Sequence, residues 1–216
     1  MYRYLDSLLA KVKKRVRTEF NHLGMMGFDT LNVVNTKKLT KEMFDRLMAE
    51  NEKMYRKVAD DTYSKAKKTA KSAGYSEENS DTGVGEDFVF TVLLAYNLVT
   101  GYLYGKEAER KRLRLNEQIL TAREFSDRQM FNDSLRRSAN LWWTQTTQYG
   151  IEMVDKATLK AYKDMGVDEV RWIAELDAKT CKVCRERDGK VYKINKVPAK
   201  VHYACRCRLE PVKIEE

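Results

Sequence analysis

All four cysteines of this chain lie between positions 181 and 207, and the 180 residues before them contain none. They form two pairs, Cys181-Lys-Val-Cys184 and Cys205-Arg-Cys207, and His202 stands three residues before Cys205. That grouping constrains the end of the chain more tightly than any other feature. A Cys-x2-Cys bend lets two thiolates grip one ion from a single turn, and a second pair arriving from elsewhere completes a tetrahedron. His202-x2-Cys205 offers the same bite, while Cys205-x-Cys207 sets two thiols on one face of a strand. Five candidates, Cys181, Cys184, His202, Cys205 and Cys207, thus compete for four positions. Cys181, Cys184 and His202 with one of the last two cysteines form the favoured set, and a four-cysteine site is its close rival.

The surrounding residues show why a staple is needed. Val170, Trp172, Ala174 and Leu176 alternate with Arg171, Ile173 and Glu175, the period of a half-buried strand. Asp188-Gly189 predicts a turn into a second strand from Lys190, and Cys205 to about Lys213 is a candidate third. Three short strands in fewer than fifty residues cannot bury much apolar surface. Met1 to Lys14 has no apolar stretch ahead of its basic residues, so no secretory signal is expected. Without export, thiolate–metal chemistry is favoured over disulfides, and structural zinc is the expected cofactor. Free or fortuitously bridged thiols are the competing account.

Catalysis is not expected of this cluster. A catalytic zinc keeps an open position beside a general acid or base. Asp177 and Asp188 are nearby, but each suits a turn or cap. His22 and His202 are the only histidines, and no oxyanion hole is legible for a Cys/His nucleophile. Phosphate loops, dinucleotide fingerprints and paired-histidine metalloprotease motifs do not occur. The chain reads as a non-enzyme.

The rest of the sequence is helical in pattern. Charged residues make up 34% and prolines number two, a composition suited to long exposed helices. Leu5, Leu8, Leu9, Val12 and Val16 predict a basic amphipathic helix from Tyr2 to about Phe20. Residues 21–35 carry two glycines and no clean period, and read as a loop. Thr40 is the expected cap of a second helix running to about Lys71. Residues 73–85 are the expected flexible connection. The apolar run Phe88 to Leu103 is interrupted by Thr91, Asn97, Thr100 and Gly101, which favours a buried bundle helix over a membrane span. A mixed-charge helix follows from Lys106, and a last one, capped by Ser126 or Asp127, should end at Gly166.

The expected architecture is mainly α: an elongated helical body with a small C-terminal α+β or β module resembling a zinc knuckle. Its divisions are a basic N-terminal helical region (1–73), a helical body after a flexible loop (74–168), and a Cys/His module with about three short strands (169–216).

Net charge is +9, distributed unevenly. Residues 1–73 carry 17 Lys/Arg against 9 Asp/Glu, residues 74–170 carry 12 against 16, and residues 171–216 carry 12 against 7. Such ends suit an anionic partner without identifying it. Around the cysteines, Lys182, Arg185, Arg187, Lys190, Arg206 and Arg208 are candidate phosphate contacts, and a zinc-containing nucleic-acid-binding module is the alternative reading. The pair Trp142-Trp143 is expected to put one indole in a core and the other at a helix or subunit contact, in preference to a base-stacking platform.

The string Leu176-Asp177-Ala-Lys-Thr180-Cys181-x-x-Cys184, then Asp188-Gly189-Lys190-Val191-Tyr192, Pro198, His202 and Cys205-Arg206-Cys207 with Pro211-Val212, resembles a family signature. It is the C-terminal signature of tailed-bacteriophage minor head proteins, the Mu F-like head morphogenesis family. Lys179 stands where the family has Arg, and Tyr203 where it has Pro; neither change removes a candidate ligand. The resemblance implies a few-copy structural component of the procapsid near the portal vertex, acting in assembly and in handling packaged DNA. It implies portal and major capsid proteins as partners, and packaged double-stranded DNA through backbone contacts. No membrane and no small-molecule substrate are expected. The resemblance places the protein in the bacterial host cytoplasm during assembly and in the phage head afterwards.

Overall fold

A computed structural model of the chain describes residues 2–76, 83–100, 106–200 and 205–212. The chain is mainly helical with a small C-terminal three-stranded antiparallel sheet. The helices are α1 (Tyr2–Met25), α2 (Val33–Ser72), α3 (Phe88–Thr100), α4 (Lys106–Glu124) and α5 (Arg128–Asp164). After them come β1 (Glu169–Ile173), a short α6 (Lys182–Arg187), β2 (Val191–Lys193) and β3 (Arg208–Pro211). Single 3-10 turns occur at Phe28–Thr30 and Ile194–Lys196.

The expected loop at 21–35 is shorter than its composition suggested. α1 continues through Leu23, which is buried, and α2 already begins at Val33. The cap is Asn32, whose Oδ1 accepts from the backbone N–H groups of Val34 and Asn35, both at 3.0 Å. Asn35 answers by accepting from the Asn32 N–H at 2.7 Å, a reciprocal closure of the kind a capping box makes. Thr40 is therefore not a cap. It lies inside α2, fully buried, where its hydroxyl donates back to Thr36 O at 2.9 Å and meets the Asn116 carbonyl oxygen.

The other helix ends follow their sequence signals. Asp127 Oδ1 accepts from Met130 N–H at 2.8 Å and starts α5. Gly166, at φ 69°, ends it: its N–H reaches Lys163 O, and Val167 N–H reaches Tyr162 O. These two bonds satisfy the last carbonyls in the Schellman manner, which needs a left-handed residue at that position. Of the expected flexible connection, residues 77–82 lie outside the described part of the chain.

The chain divides into two compact units. One comprises Asp6–Met54 and Leu93–Tyr149. Its core holds Val16, Phe20, Leu31, Met43, Leu47, Leu115 and Ile119, with Phe44 and Trp142 edge to face at 5.0 Å. Trp143 is half-buried at a helix contact, with the Lys13 ammonium 5.3 Å from its ring centre. The tryptophan pair thus divides its roles as expected. The second unit comprises Met1–Leu5, Tyr55–Val92 and Gly150–Glu216, and it contains the cysteines. Among the described residues no helix is long and apolar enough to cross a membrane.

In the second unit the sheet order is β2-β1-β3. β1 lies in the middle, pairing Val170 with Tyr192 on one side and Trp172 with Leu209 on the other. Val170 and Trp172 point inward and are buried, while Glu169 and Arg171 are exposed. The alternation ends sooner than expected: Leu176 lies past the strand and is 62% exposed. Tyr162 of α5 donates its Oη to Leu209 O of β3 at 3.2 Å, and Tyr75, just past α2, donates to Val212 O, just past β3, at 2.9 Å. Burial pushes the Tyr162 phenol far above its ordinary range, so it stays a neutral donor.

Candidate metal centre

The centre is assembled from two segments that the sheet brings together. The first leaves β1, makes a loop, and enters α6 with Cys181 as its N-cap. The Cys181 sulfur accepts from the Cys184 N–H at 3.4 Å, as a cap should. The Cys-x2-Cys pair is therefore a helix start, not a bare turn. Cys184 then points inward from the first turn and is 1% exposed. Gly189, at φ 74°, turns the chain back after α6, its N–H bonding Trp172 O at 2.8 Å. Asp188 Oδ1 accepts from Ala174 N–H at 2.8 Å, which closes the same turn from its other end.

The second segment runs through Cys205 and Cys207 into β3. Lys200 anchors its approach: the ammonium meets Asp155 Oδ1 of α5 at 2.9 Å and Cys205 O at 3.4 Å. Both cysteines are buried. The sulfurs of Cys184, Cys205 and Cys207 all lie within 4.8 Å of one another, with Cys184 and Cys205 at 3.6 Å. A disulfide needs about 2.05 Å, so these are free thiols. Two sulfurs on a tetrahedral zinc, each about 2.3 Å from the metal, stand roughly 3.8 Å apart. The observed spacing is close to that value.

This buried cluster could hold a metal ion, with half-buried Cys181 as the neighbouring fourth thiol. The donor chemistry fits a soft or borderline ion such as zinc. Burial pushes the Cys184 thiol up, reinforced by its bonds to Cys207, Cys181 and Cys205, and burial also raises Cys205. The Cys184 backbone N–H holds Cys181 below the ordinary thiol range. The helix-start sulfur is thus more ready to be a thiolate than Cys184 or Cys205, and a bound cation reverses the burial penalty on those two. His202, the remaining candidate ligand, lies outside the described residues.

Asp177, expected only to turn or cap the chain, proves central to this geometry. Asp177 Oδ1 accepts from Lys179 N–H at 2.9 Å and from the Thr180 hydroxyl at 3.1 Å. Its other oxygen takes the Arg206 guanidinium at 2.6 Å, joining the loop before Cys181 to the segment between Cys205 and Cys207. The signal was present in the sequence, since Asp177, Thr180 and Arg206 all belong to the quoted string. No spacing rule assigns them to one another.

The six basic candidates fall into two groups. Arg185 donates to Thr180 O and Asp177 O, and Arg206 binds Asp177. Arg187 donates to Ala199 O and stacks 5.1 Å from the Trp172 ring centre, and Arg208 pairs with Glu210. All four are paired within the module, the first three across separate segments and Arg208 along β3. Lys182, which reaches Glu186 only at 3.9 Å, and Lys190 are exposed without such a tie among the described residues, whereas Arg185 and Arg206 are exposed but held. Comparison with family models, curated proteins and solved structures found no match to this chain.

Proposed function

We propose that this chain is a structural minor head protein of a tailed phage, acting near the portal vertex in procapsid assembly and in handling packaged DNA. The observation that supports the reading is the convergence of Cys184, Cys205 and Cys207 beside Cys181. The quoted signature becomes physically coherent there. Its cysteines supply a donor set, Asp177, Thr180 and Arg206 bind one another, and Asp188-Gly189 makes the turn that returns the chain to β2. Every non-sulfur position just named has a job in shaping a thiol cluster.

Zinc is the cofactor this reading requires. Cys181, Cys184, Cys205 and Cys207 would hold it, and His202 is the alternative fourth ligand. When bound it supplies cross-linking and no chemistry, since four protein donors leave no open position. The module's own residues do the remainder: Trp172 fills the small core and the Asp177–Arg206 pair closes the loop over it.

The test is association. A tagged chain expressed in cells producing the phage particles should co-purify with procapsids and cross-link to portal or major capsid protein. A chain that remains monomeric and is absent from particles would overturn the proposal.

A further inference from the structure

The unit made of Asp6–Met54 and Leu93–Tyr149 carries a cavity that the assembly reading does not use. It has a volume of about 180 Å³ and lies among α2, α4 and α5. Its floor is apolar: Phe44, Leu115, Leu141 and Trp142. Leu141 is 37% exposed, so this floor is open to solvent at one side. Its remaining lining is polar, with Gln118 and Ser138 beside three cations: Lys111 and Arg114 one helical turn apart on α4, and Arg137 facing from α5.

Those charges are not spent on carboxylates. Among the described residues Lys111 and Arg114 make no ion pair, and Arg137 bonds only the backbone carbonyl of Asp133 on its own helix at 3.3 Å. The neighbouring basic residues behave differently. Arg112 pairs with Glu109, and Arg136 reaches Asp133 Oδ1 at 2.9 Å. Three cations gathered over an apolar floor, while their neighbours are neutralised, describe a complement to a negatively charged, partly apolar group.

Size narrows the occupant further. Cavities that enclose a whole cofactor or drug-sized ligand run from about 300 to 1,000 Å³. This one is smaller, enough for a single large apolar side chain. We propose that it is an anchor site for an acidic peptide segment of a partner protein: one aromatic or aliphatic side chain seats on Trp142 and Leu115, and flanking carboxylates meet Lys111, Arg114 and Arg137. The proposal stands whether or not the chain belongs to a phage head.

The test uses the full chain and a fluorescent eight-residue peptide carrying one Phe flanked on both sides by Glu, followed by polarisation. Saturable binding is expected. Replacing the Phe by Gly should abolish it, and replacing the Glu residues by Gln should weaken it at least about tenfold, the worth of a charge-assisted hydrogen bond. Arg137→Glu and Lys111→Glu should each cause a loss of similar size. Arg136→Glu makes the same change of charge one residue away and should alter affinity less than about threefold, since exposed pairs are worth little. Thermal unfolding monitored by circular dichroism checks that each variant is folded. If the peptide does not saturate, or if Arg136→Glu weakens binding as much as Arg137→Glu, the site is diffuse electrostatic attraction and the proposal fails. Binding that survives loss of the Phe overturns it equally.

Discussion

Arg206 donates to Asp177 at 2.6 Å, and this single contact links the loop that leads into Cys181 with the residue lying between Cys205 and Cys207. The two halves of the thiol cluster come from distant points of the chain, and neither half has much core to lean on. Their mutual position depends on such ties and on whatever the sulfurs hold.

The contact should be visible in the titration of Asp177. The Arg206 hydrogen bond, with the Lys179 N–H and Thr180 hydroxyl, holds its carboxyl below the ordinary range. A carboxylate whose folded pKa is depressed contributes stability above its unfolded pKa, roughly 4, and loses that contribution as pH falls through the lower folded value. Arg206→Ala should move the Asp177 pKa up toward its unfolded value, read by carbon-detected NMR. Because both side chains are substantially exposed, the accompanying change in Tm should be small. An Asp177 titration indifferent to Arg206 would refute the assigned role.

Removing one buried sulfur should empty the site. Cys184→Ser is expected to take zinc from one equivalent to none by elemental analysis, with loss of near-ultraviolet ellipticity from Trp172 as the module opens. His202→Ala separates the two ligand sets. Retained metal assigns the site to the four thiols, and lost metal makes His202 a ligand. A wild-type protein that is folded and free of metal would sink the account of how the module is stabilised.

Trp172 should be the most sensitive apolar position of the module. It is 2% exposed, central in the sheet, and covered by Arg187 and Tyr192. Trp172→Ala is expected to cost about 3–5 kcal/mol, enough to detach the sheet at room temperature. Arg187→Ala, which removes the cover but keeps the ring, should cost about 1 kcal/mol. Hydrogen exchange of the β1 amides measures both, and equal effects would contradict this ranking.

The buried Thr40–Asn116 pair offers a test in the other unit. Thr40→Val keeps the shape and leaves the Asn116 oxygen without its partner, for an expected loss of about 1–3 kcal/mol. The Asn116 nitrogen already has no partner among the described residues. Replacing both residues, Thr40→Val with Asn116→Leu, should therefore cost less than the single change, because no polar atom of the pair remains to be desolvated. Denaturant unfolding decides it, and additive losses would argue against the pair.

Contact with duplex DNA, part of the proposed role, should rest on Lys182 and Lys190, since the other four cations are committed within the module. Each charge removed should lower the slope of log affinity against log salt by about one. Unchanged slopes in both variants would remove the module from the DNA path.

Much of this protein is determined by its sequence alone. Periodicities of 3.6 and 2 placed the helices and β1, because a side chain's face follows from its position along one element. Gly166, Asp127 and Gly189 marked their turns through backbone geometry that few other residues accept. Cysteine spacing identified the thiols as a group. Thr40 and Asn32 show the limit: both are good caps by composition, and only the packing of α2 made one a cap and the other a core residue. The partner of each thiol belongs to the same class. Cys181 and Cys184 are three residues apart and Cys205 and Cys207 two, but the approach of Cys184 to within 3.6 Å of Cys205 is a long-range relationship. The same is true of Asp177 with Arg206, and of the cations that α4 and α5 bring to one cavity. Local chemistry fixes what a segment can be, and tertiary packing alone decides which segments meet.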